Sequence, residues 1–289
     1  MAITEHRNRP CILVAGCGSL GGVIAHTLCE NAEVYGLRRN ADAIKAPVLP
    51  IGADLLEPAE LASAIPANVD ALIYCLTPSS YDDAGYQAAY VTGLKNLLAV
   101  LGSENLSRVI FISSTSVYHQ DDDGWVDENS PTVPAKFSGQ RILEGESVAL
   151  NCGIPATIIR FSGIYGPSRH RFLAAVRRGE MNPLNPAPYT NRIHEVDAAN
   201  AVVHLMQASL RGEALAEHYI ASDCEPARLA EVVAWVQNQT HCAQPKSGAR
   251  AGGRAGSKRC RNQRLLDSGF SFRYPDYRTG YSEMIEQIT

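Results

Sequence analysis

Six consecutive residues, Gly16-Cys17-Gly18-Ser19-Leu20-Gly21, have the types and spacing to hold a phosphate. They follow directly on the apolar run Cys11-Ile12-Leu13-Val14-Ala15, which reads as a buried strand, and lead into a stretch from Val23 to Glu30 with helical spacing. In that setting Gly16 permits a tight turn, Gly18 lets backbone approach a pyrophosphate without a Cβ in the way, and Gly21 lets the helix pack closely on the strand. The helix start at Ser19 and Leu20 then faces the anion with amides that have no partner inside the helix. The reading is a cradle for a dinucleotide.

NAD-binding versions of this motif carry an acidic residue about 20 positions further on, where it holds the ribose 2′-hydroxyl. Here the second strand runs into Leu37-Arg38-Arg39. With no carboxylate to repel a 2′-phosphate and two guanidiniums able to pair with it, NADP is favoured, with NAD still open.

The elements that must position these residues alternate along the chain. Residues 33–37, 47–55, 70–78, 108–114 and 155–163 are apolar runs that read as buried strands, and between them 86–101 and 139–153 have helical spacing. Strand and helix alternating in this way predict an α/β fold, a doubly wound parallel Rossmann sheet covered on both faces. After about residue 165 the regularity breaks at 181–191, which holds three prolines and reads as a loop over a site. Helices are expected again over 196–210 and 227–240. The stretch from Lys246 to Arg264 has seven basic residues, no acidic ones and several glycines, and is expected to be a mobile loop. The expected division is a dinucleotide-binding domain over 1–165 and a small substrate-binding subdomain over 166–289, some segments of which return to the sheet.

Four segments resemble the extended short-chain dehydrogenases/reductases, the group of NAD(P)-dependent sugar-nucleotide epimerases and dehydratases. Asp54-Leu55 is similar to the pair that lies against adenine after the third strand. Ser113-Ser114-Thr115-Ser116-Val117-Tyr118 resembles the family's S-S-x-x-V-Y after the fifth strand. The segment Arg160-Phe161-Ser162-Gly163-Ile164-Tyr165-Gly166-Pro167 resembles the one ending in Y-G-P, and Ile193-His194-Glu195-Val196-Asp197 resembles I-H-V-D-D. The likeness runs from residue 11 to about 210. It implies a cofactor site that includes Asp54, Leu55, Leu76, Thr77 and Ser113 beside the glycine turn and the two arginines. The shorter glycine pattern is similar to an atypical subgroup of the family.

The family's proton-transfer pair, Tyr-x-x-x-Lys, occurs nowhere in the chain. In the family the tyrosine moves the proton while the cofactor moves the hydride, and a Ser or Thr after the fifth strand holds the oxygen. The expected region can be aligned in two ways. One puts Phe137 and Arg141 at the pair, and the other, following the family's Y-G-x-x-K-L-x-x-E, puts Ser138 and Ile142 there. Ser114 matches the hydroxyl position. The expected catalytic candidates are therefore Ser114, Ser138 and Arg141, with Tyr118, Tyr165 or His194 as substitute proton donors. Arg169, Arg171 and Arg192 flank the Pro-rich loop and could hold a substrate phosphate or carboxylate. Tyr118, Tyr165, Arg169, Arg192 and His194 form the expected substrate-binding set.

Composition narrows the remaining classes. A chain of 289 residues with 45% apolar and 19% charged residues and a net charge of −4 has no global basic surface for nucleic acid or anionic membrane. The eight cysteines show no pairing or zinc spacing, so no metal is expected. The polar N-terminus and the lack of a run near the roughly 18 apolar residues of a membrane span point to a cytoplasmic protein. No G-x-S-x-G is present to suggest a hydrolase. Two functions stay open. One is an NADP-dependent enzyme acting on a sugar, sugar nucleotide or small carbonyl/alcohol substrate. The other is a non-catalytic dinucleotide-binding protein that reports redox state. The family resemblance also implies a homodimer formed through residues 86–101 and 139–153.

Overall fold

Residues 9–104, 106–251 and 256–287 are described in a computed structural model of the chain. The strands predicted from apolar runs form where expected; those over 11–15, 33–37 and 108–114 keep their full length, whereas those over 47–55, 70–78 and 155–163 are shorter because the flanking residues leave the sheet as loops. In chain order the first part of the molecule contains β1 (Cys11–Ala15), α1 (Ser19–Leu28), β2 (Glu33–Leu37), β3 (Leu49–Ile51), α2 (Pro58–Ala64), β4 (Ala71–Tyr74), α3 (Asp83–Gln87), α4 (Gly93–Leu101) and β5 (Arg108–Ser114). Next come β6 (Trp125–Val126), α5 (Phe137–Leu150), β7 (Ala156–Phe161), β8 (Gly163–Tyr165), α6 (Arg171–Arg177), β9 (Tyr189–Thr190), β10 (Arg192–His194) and α7 (Glu195–Leu210). The chain ends with β11 (His218–Ala221), β12 (Ala227–Arg228), α8 (Leu229–Gln239), β13 (Arg259–Cys260), α9 (Gln263–Asp267) and α10 (Tyr277–Glu286).

A seven-stranded sheet has the order β11-β7-β5-β4-β1-β2-β3. The pairings β1–β2, β1–β4, β2–β3 and β4–β5 are parallel. Strand order therefore reverses at β1: β2 and β3 lie on one side of it and β4 and β5 on the other. That is the switch point at which doubly wound sheets bind ligands beyond the carboxyl ends of their strands.

The chain divides into two units. The first comprises the described residues up to Ser113 together with Gln140–Ile159 and Val202–Glu217. Its core is built from β1, β4 and β5, all of whose central residues are inaccessible to water, with Leu94 and Leu97 of α4 and Leu61 of α2 packed against them. Between α3 and α4 the residues Ala88–Thr92 form a π-helical turn. The Tyr74 hydroxyl donates to the Ala89 carbonyl there at 2.6 Å.

The second unit comprises Ser114–Gly139, Arg160–Ala201 and the described residues from His218 onward. Its core joins α6, α8 and α10 through Leu173, Val176, Val232, Val236, Tyr281 and Met284. Small two-stranded sheets hold its loops: β8 with β10, β9 with β12, and β6 with β13. The last of these departs from the expectation of a mobile loop over 246–264 in that stretch's second half, 257–264. Arg259 and Cys260 pair in parallel with Trp125 and Val126, the Ser257 amide donates to Asp121 at 2.6 Å, and Lys258 is buried. Basic composition suggested a solvated segment, but here alternate residues turn inward. Arg254 of that stretch lies outside the described residues.

Candidate functional site

In the first unit the glycine turn has the geometry a dinucleotide cradle needs. Gly16 adopts φ +87°, a conformation that glycine tolerates and other residues resist, and a Cβ there would stand 2.2 Å from the Cys75 carbonyl oxygen. Gly21 lies so close to the turn that its Cβ would meet the Gly16 carbonyl at 2.3 Å. Gly18 differs from both: a Cβ there would find nothing nearer than 4.0 Å. It borders a cleft of about 350 Å³. The open face above Gly18 is the place a pyrophosphate would occupy, so the residues present fit a dinucleotide.

The turn is hooked to the end of β2, because the Gly16 and Cys17 amides donate to the Leu37 carbonyl at 2.9 and 3.1 Å. The next residue, Arg38, reaches back and donates through Nη1 to the Cys17 carbonyl at 3.4 Å. Arg38 and Arg39 both line the cleft, as do Asp54, Leu55, Leu76 and Thr77. Asp54 is fixed by accepting from the Leu56 amide, and the Leu55 carbonyl by the Asn96 amide group. The cleft wall also includes Asn40, Ser79, Ala88 and Ala89, which carry no motif and were not anticipated. Ser19 opens α1 and is exposed, whereas the Leu20 side chain is buried. Ser113 is buried too, and its hydroxyl donates to the Glu146 carboxylate on α5.

Three contacts of α5 bear on the two alignments of the proton-transfer region. A Cβ on Gly139 would sit 2.7 Å from the Ser116 carbonyl oxygen, and one on Gly145 would sit 2.6 Å from the Tyr90 carbonyl oxygen. Glu146 turns inward to Ser113. Glycine at 139, leucine at 143 and glutamate at 146 agree with the second alignment, in which Ser138 and Ile142 take the dyad positions. Ser138 is half-buried and Ile142 is buried, so neither a phenol nor an amine is present there. Arg141, which takes the lysine position in the first alignment, is paired with acidic side chains. Its guanidinium donates to both Asp83 oxygens at 2.8 and 2.9 Å and to Glu144 at 2.8 Å, and is held by those carboxylates at the surface. Phe137 is exposed.

In the second unit Ser114 accepts from the Ser116 amide at 3.1 Å, capping the short turn that follows β5. Tyr118 is buried, and its hydroxyl accepts from Arg160 at 2.8 Å. Burial pushes its phenol above the usual range, against the pull of the Arg160 charge. Tyr165, Arg192 and His194 are brought together in the interior of the unit, His194 directly opposite Tyr165 in the β8–β10 pair. Burial lowers the basicity of His194, and its Nδ1 accepts from the Val196 amide at 3.3 Å. Asp197 of the same motif accepts from the Arg273 and Tyr274 amides, fixing the segment before α10. Arg169 and Arg171 are exposed and apart from this cluster.

Two residues went unnoticed in the sequence. Asp223 is wholly buried next to Arg192. Lys258 is a buried amine whose basicity burial depresses, close in charge terms to Cys260, which in turn bonds to Thr115 beside Ser114. A lone Asp after a strand and a Lys in a basic run carry no signal of burial.

The NAD dependent epimerase/dehydratase family model matches residues 12–216. The chain belongs to that family. A solved structure from Methylobacillus flagellatus, assigned to the NAD-dependent epimerases/dehydratases, is 36% identical, with 98% of this chain and 99% of that one covered and a TM-score of 0.81. Protein YeeZ of Escherichia coli K12 is 29% identical over 238 residues, covering 78% of this chain and 81% of that protein. The UDP-glucuronic acid 4-epimerase of Bacillus cereus, solved in complex with NAD, shares the fold at 17% identity. Its TM-score is 0.75, with 96% of this chain and 99% of that one covered. Among the described residues no helix is long and apolar enough to cross a membrane, and no group of His, Cys, Asp and Glu side chains could hold a metal ion.

Proposed function

We propose that the chain is an NADP(H)-binding oxidoreductase of the epimerase/dehydratase type, acting on a sugar, sugar nucleotide or small carbonyl/alcohol substrate in the cytoplasm. The observation that carries the cofactor reading is the pairing of the Gly16–Gly18 turn with Arg38 and Arg39 on one cleft wall. When bound, the dinucleotide supplies or accepts a hydride. The glycine turn and the start of α1 would hold its pyrophosphate, Arg38 and Arg39 the 2′-phosphate, and Asp54 and Leu55 the adenosine. Leu76 and Thr77, across the switch point, would border the nicotinamide half. Ser114 would hold the reacting oxygen. A homodimer through α4 and α5 accompanies this reading.

The test is a titration with NADPH and NADH. Arg38→Ala with Arg39→Ala should weaken NADPH selectively, since each charge-assisted hydrogen bond contributes about 1.5–3 kcal/mol. Equal loss for both cofactors, or a wild type that prefers NADH, removes the assignment.

One observation favours a second reading. The chain has a cleft that fits a dinucleotide and no Tyr-x-x-x-Lys in its sequence, as expected of a protein that binds NADP(H) and reports its redox state to a partner. Incubation of the NADPH-loaded protein with sugar nucleotides and ketones separates the two: turnover excludes the second reading, and tight binding without turnover supports it.

A further inference from the structure

Among the described residues of the second unit, six buried side-chain atoms have no hydrogen-bond partner within the protein: Gln120 Oε1 and, on other elements, the Tyr165 hydroxyl, Arg192 Nη1, His194 Nε2 and both carboxylate oxygens of Asp223, which the Glu225 amide approaches without hydrogen-bond geometry. Tyr165, Arg192, His194 and Asp223 are 4%, 6%, 1% and 0% exposed. Such groups are rare in folded proteins, because leaving one unpaired forfeits its hydration with nothing in return. These four also belong together. The Asp223 amide donates to the Arg192 carbonyl at 2.7 Å, and Tyr165 and Tyr281 both feel the charges of Asp223 and Arg192. Yet Arg192 and Asp223 make no direct ion pair. The other arm of the guanidinium donates to the Thr190 hydroxyl, leaving Nη1 alone.

We infer that Asp223, Arg192 and Tyr165 line an internal solvent site in which ordered water bridges the Asp223 carboxyl to the Arg192 guanidinium. The donor and acceptor balance selects the ligand. Arg192 Nη1 must donate. His194 must also donate through Nε2, because its Nδ1 already accepts from the Val196 amide. One Asp223 oxygen must accept, the other can donate while the carboxyl holds its proton, and Tyr165 can do either. A metal cation is opposed by the buried guanidinium, and an anion by the carboxylate. Water both accepts from Arg192 and donates to Asp223, and buried waters characteristically serve groups that protein atoms leave unpaired. α10 covers Tyr165, since Gly280 comes so near that a Cβ would stand 2.1 Å from the Tyr165 hydroxyl. Tyr165, Arg192 and His194 are thereby given an interior task in place of the substrate contact that their motifs suggested.

A crystal structure of the full chain at a resolution that orders solvent tests this directly. The expected result is a water within hydrogen-bond distance of both an Asp223 oxygen and Arg192 Nη1; a direct Arg192–Asp223 ion pair, or a dry gap between them, overturns the inference. A solution test uses two variants. Asp223→Asn keeps an acceptor and adds a donor, so the water keeps its partners and the unfolding constant in urea at pH 4, where the folded chain holds the Asp223 carboxyl protonated, changes little. Asp223→Leu strands Arg192 and should raise that constant roughly 10- to 100-fold. Equal midpoints for the two variants would count against the site.

Discussion

The Ser113 hydroxyl at the end of β5 donates to the Glu146 carboxylate on α5, tying that helix to the sheet. Both side chains are buried, so the Ser113 hydroxyl depends on this acceptor. Glu146→Ala should lower stability by about 1–3 kcal/mol, read as a shift in the urea midpoint, because the Ser113 hydroxyl is then buried without an acceptor. A midpoint unchanged from the wild type would show that Ser113 finds another partner at no cost.

The glycine turn offers a contrast between two neighbouring substitutions. Gly18→Val adds a side chain to open space, so the apoprotein should keep its melting temperature while NADPH binding disappears. Gly16→Ala forces an L-residue to φ +87° against the Cys75 carbonyl and should destabilise the fold itself, by about 1–3 kcal/mol from the backbone alone. Calorimetry with and without NADPH separates the two effects.

Stability should fall as pH rises toward the alkaline side of neutrality. Burial pushes the Asp223 carboxyl up to about 8, outweighing Arg192 and the nearby Glu225 amide that favour its charged form, while Asp276 and Glu225 add to the rise. Tyr165, Tyr281, Cys224 and Cys260 complete the titratable surroundings. A carboxyl raised in the folded state binds its proton more tightly there than in the unfolded chain. The folded state therefore loses ground between the ordinary carboxylate range, near pH 4, and pH 8. Asp223→Asn should flatten that slope. Urea midpoints at intervals across the range measure it, and identical slopes for variant and wild type would assign the pH dependence to other groups.

If a substrate is turned over, Ser114→Ala should lower kcat by about 10- to 1000-fold with NADPH affinity nearly unchanged, as for a contact made mainly in the transition state. Phe137→Tyr, which the first alignment would make a gain of function, should have no effect under the second, because Phe137 is exposed and that alignment puts residue 138 at the dyad. A gain from Phe137→Tyr would favour the first alignment.

The cofactor cleft was legible in the sequence because its chemistry is local. Gly16, Gly18 and Gly21 act through backbone conformation and close approach, and Arg38 follows a strand whose end is marked by an apolar run. The proton-transfer region was ambiguous by one residue, since Phe137/Arg141 and Ser138/Ile142 both fit a helix. Contacts distant in sequence, Gly139 to Ser116 and Gly145 to Tyr90, bear on the register. The interior of the second unit was hidden for a related reason. Asp223 and Lys258 become buried through pairings with strands about 30 and 130 positions away, and their own neighbours in sequence are polar.

The π-turn at Ala88–Thr92 reaches beyond its own five residues. Such a turn holds one residue more than the α-helical path it replaces, so it acts on the helix as a single-residue insertion would. Everything after it is rotated by about 100° relative to an uninterrupted helix. One helical wheel drawn over 86–101 is therefore out of phase with itself. Gly85 on α3 and Leu94 and Leu97 on α4 face the interior by two separate phases of the same apparent pattern. Removing either Ala88 or Ala89 would erase that phase change and turn the apolar face of α4 away from the sheet it covers.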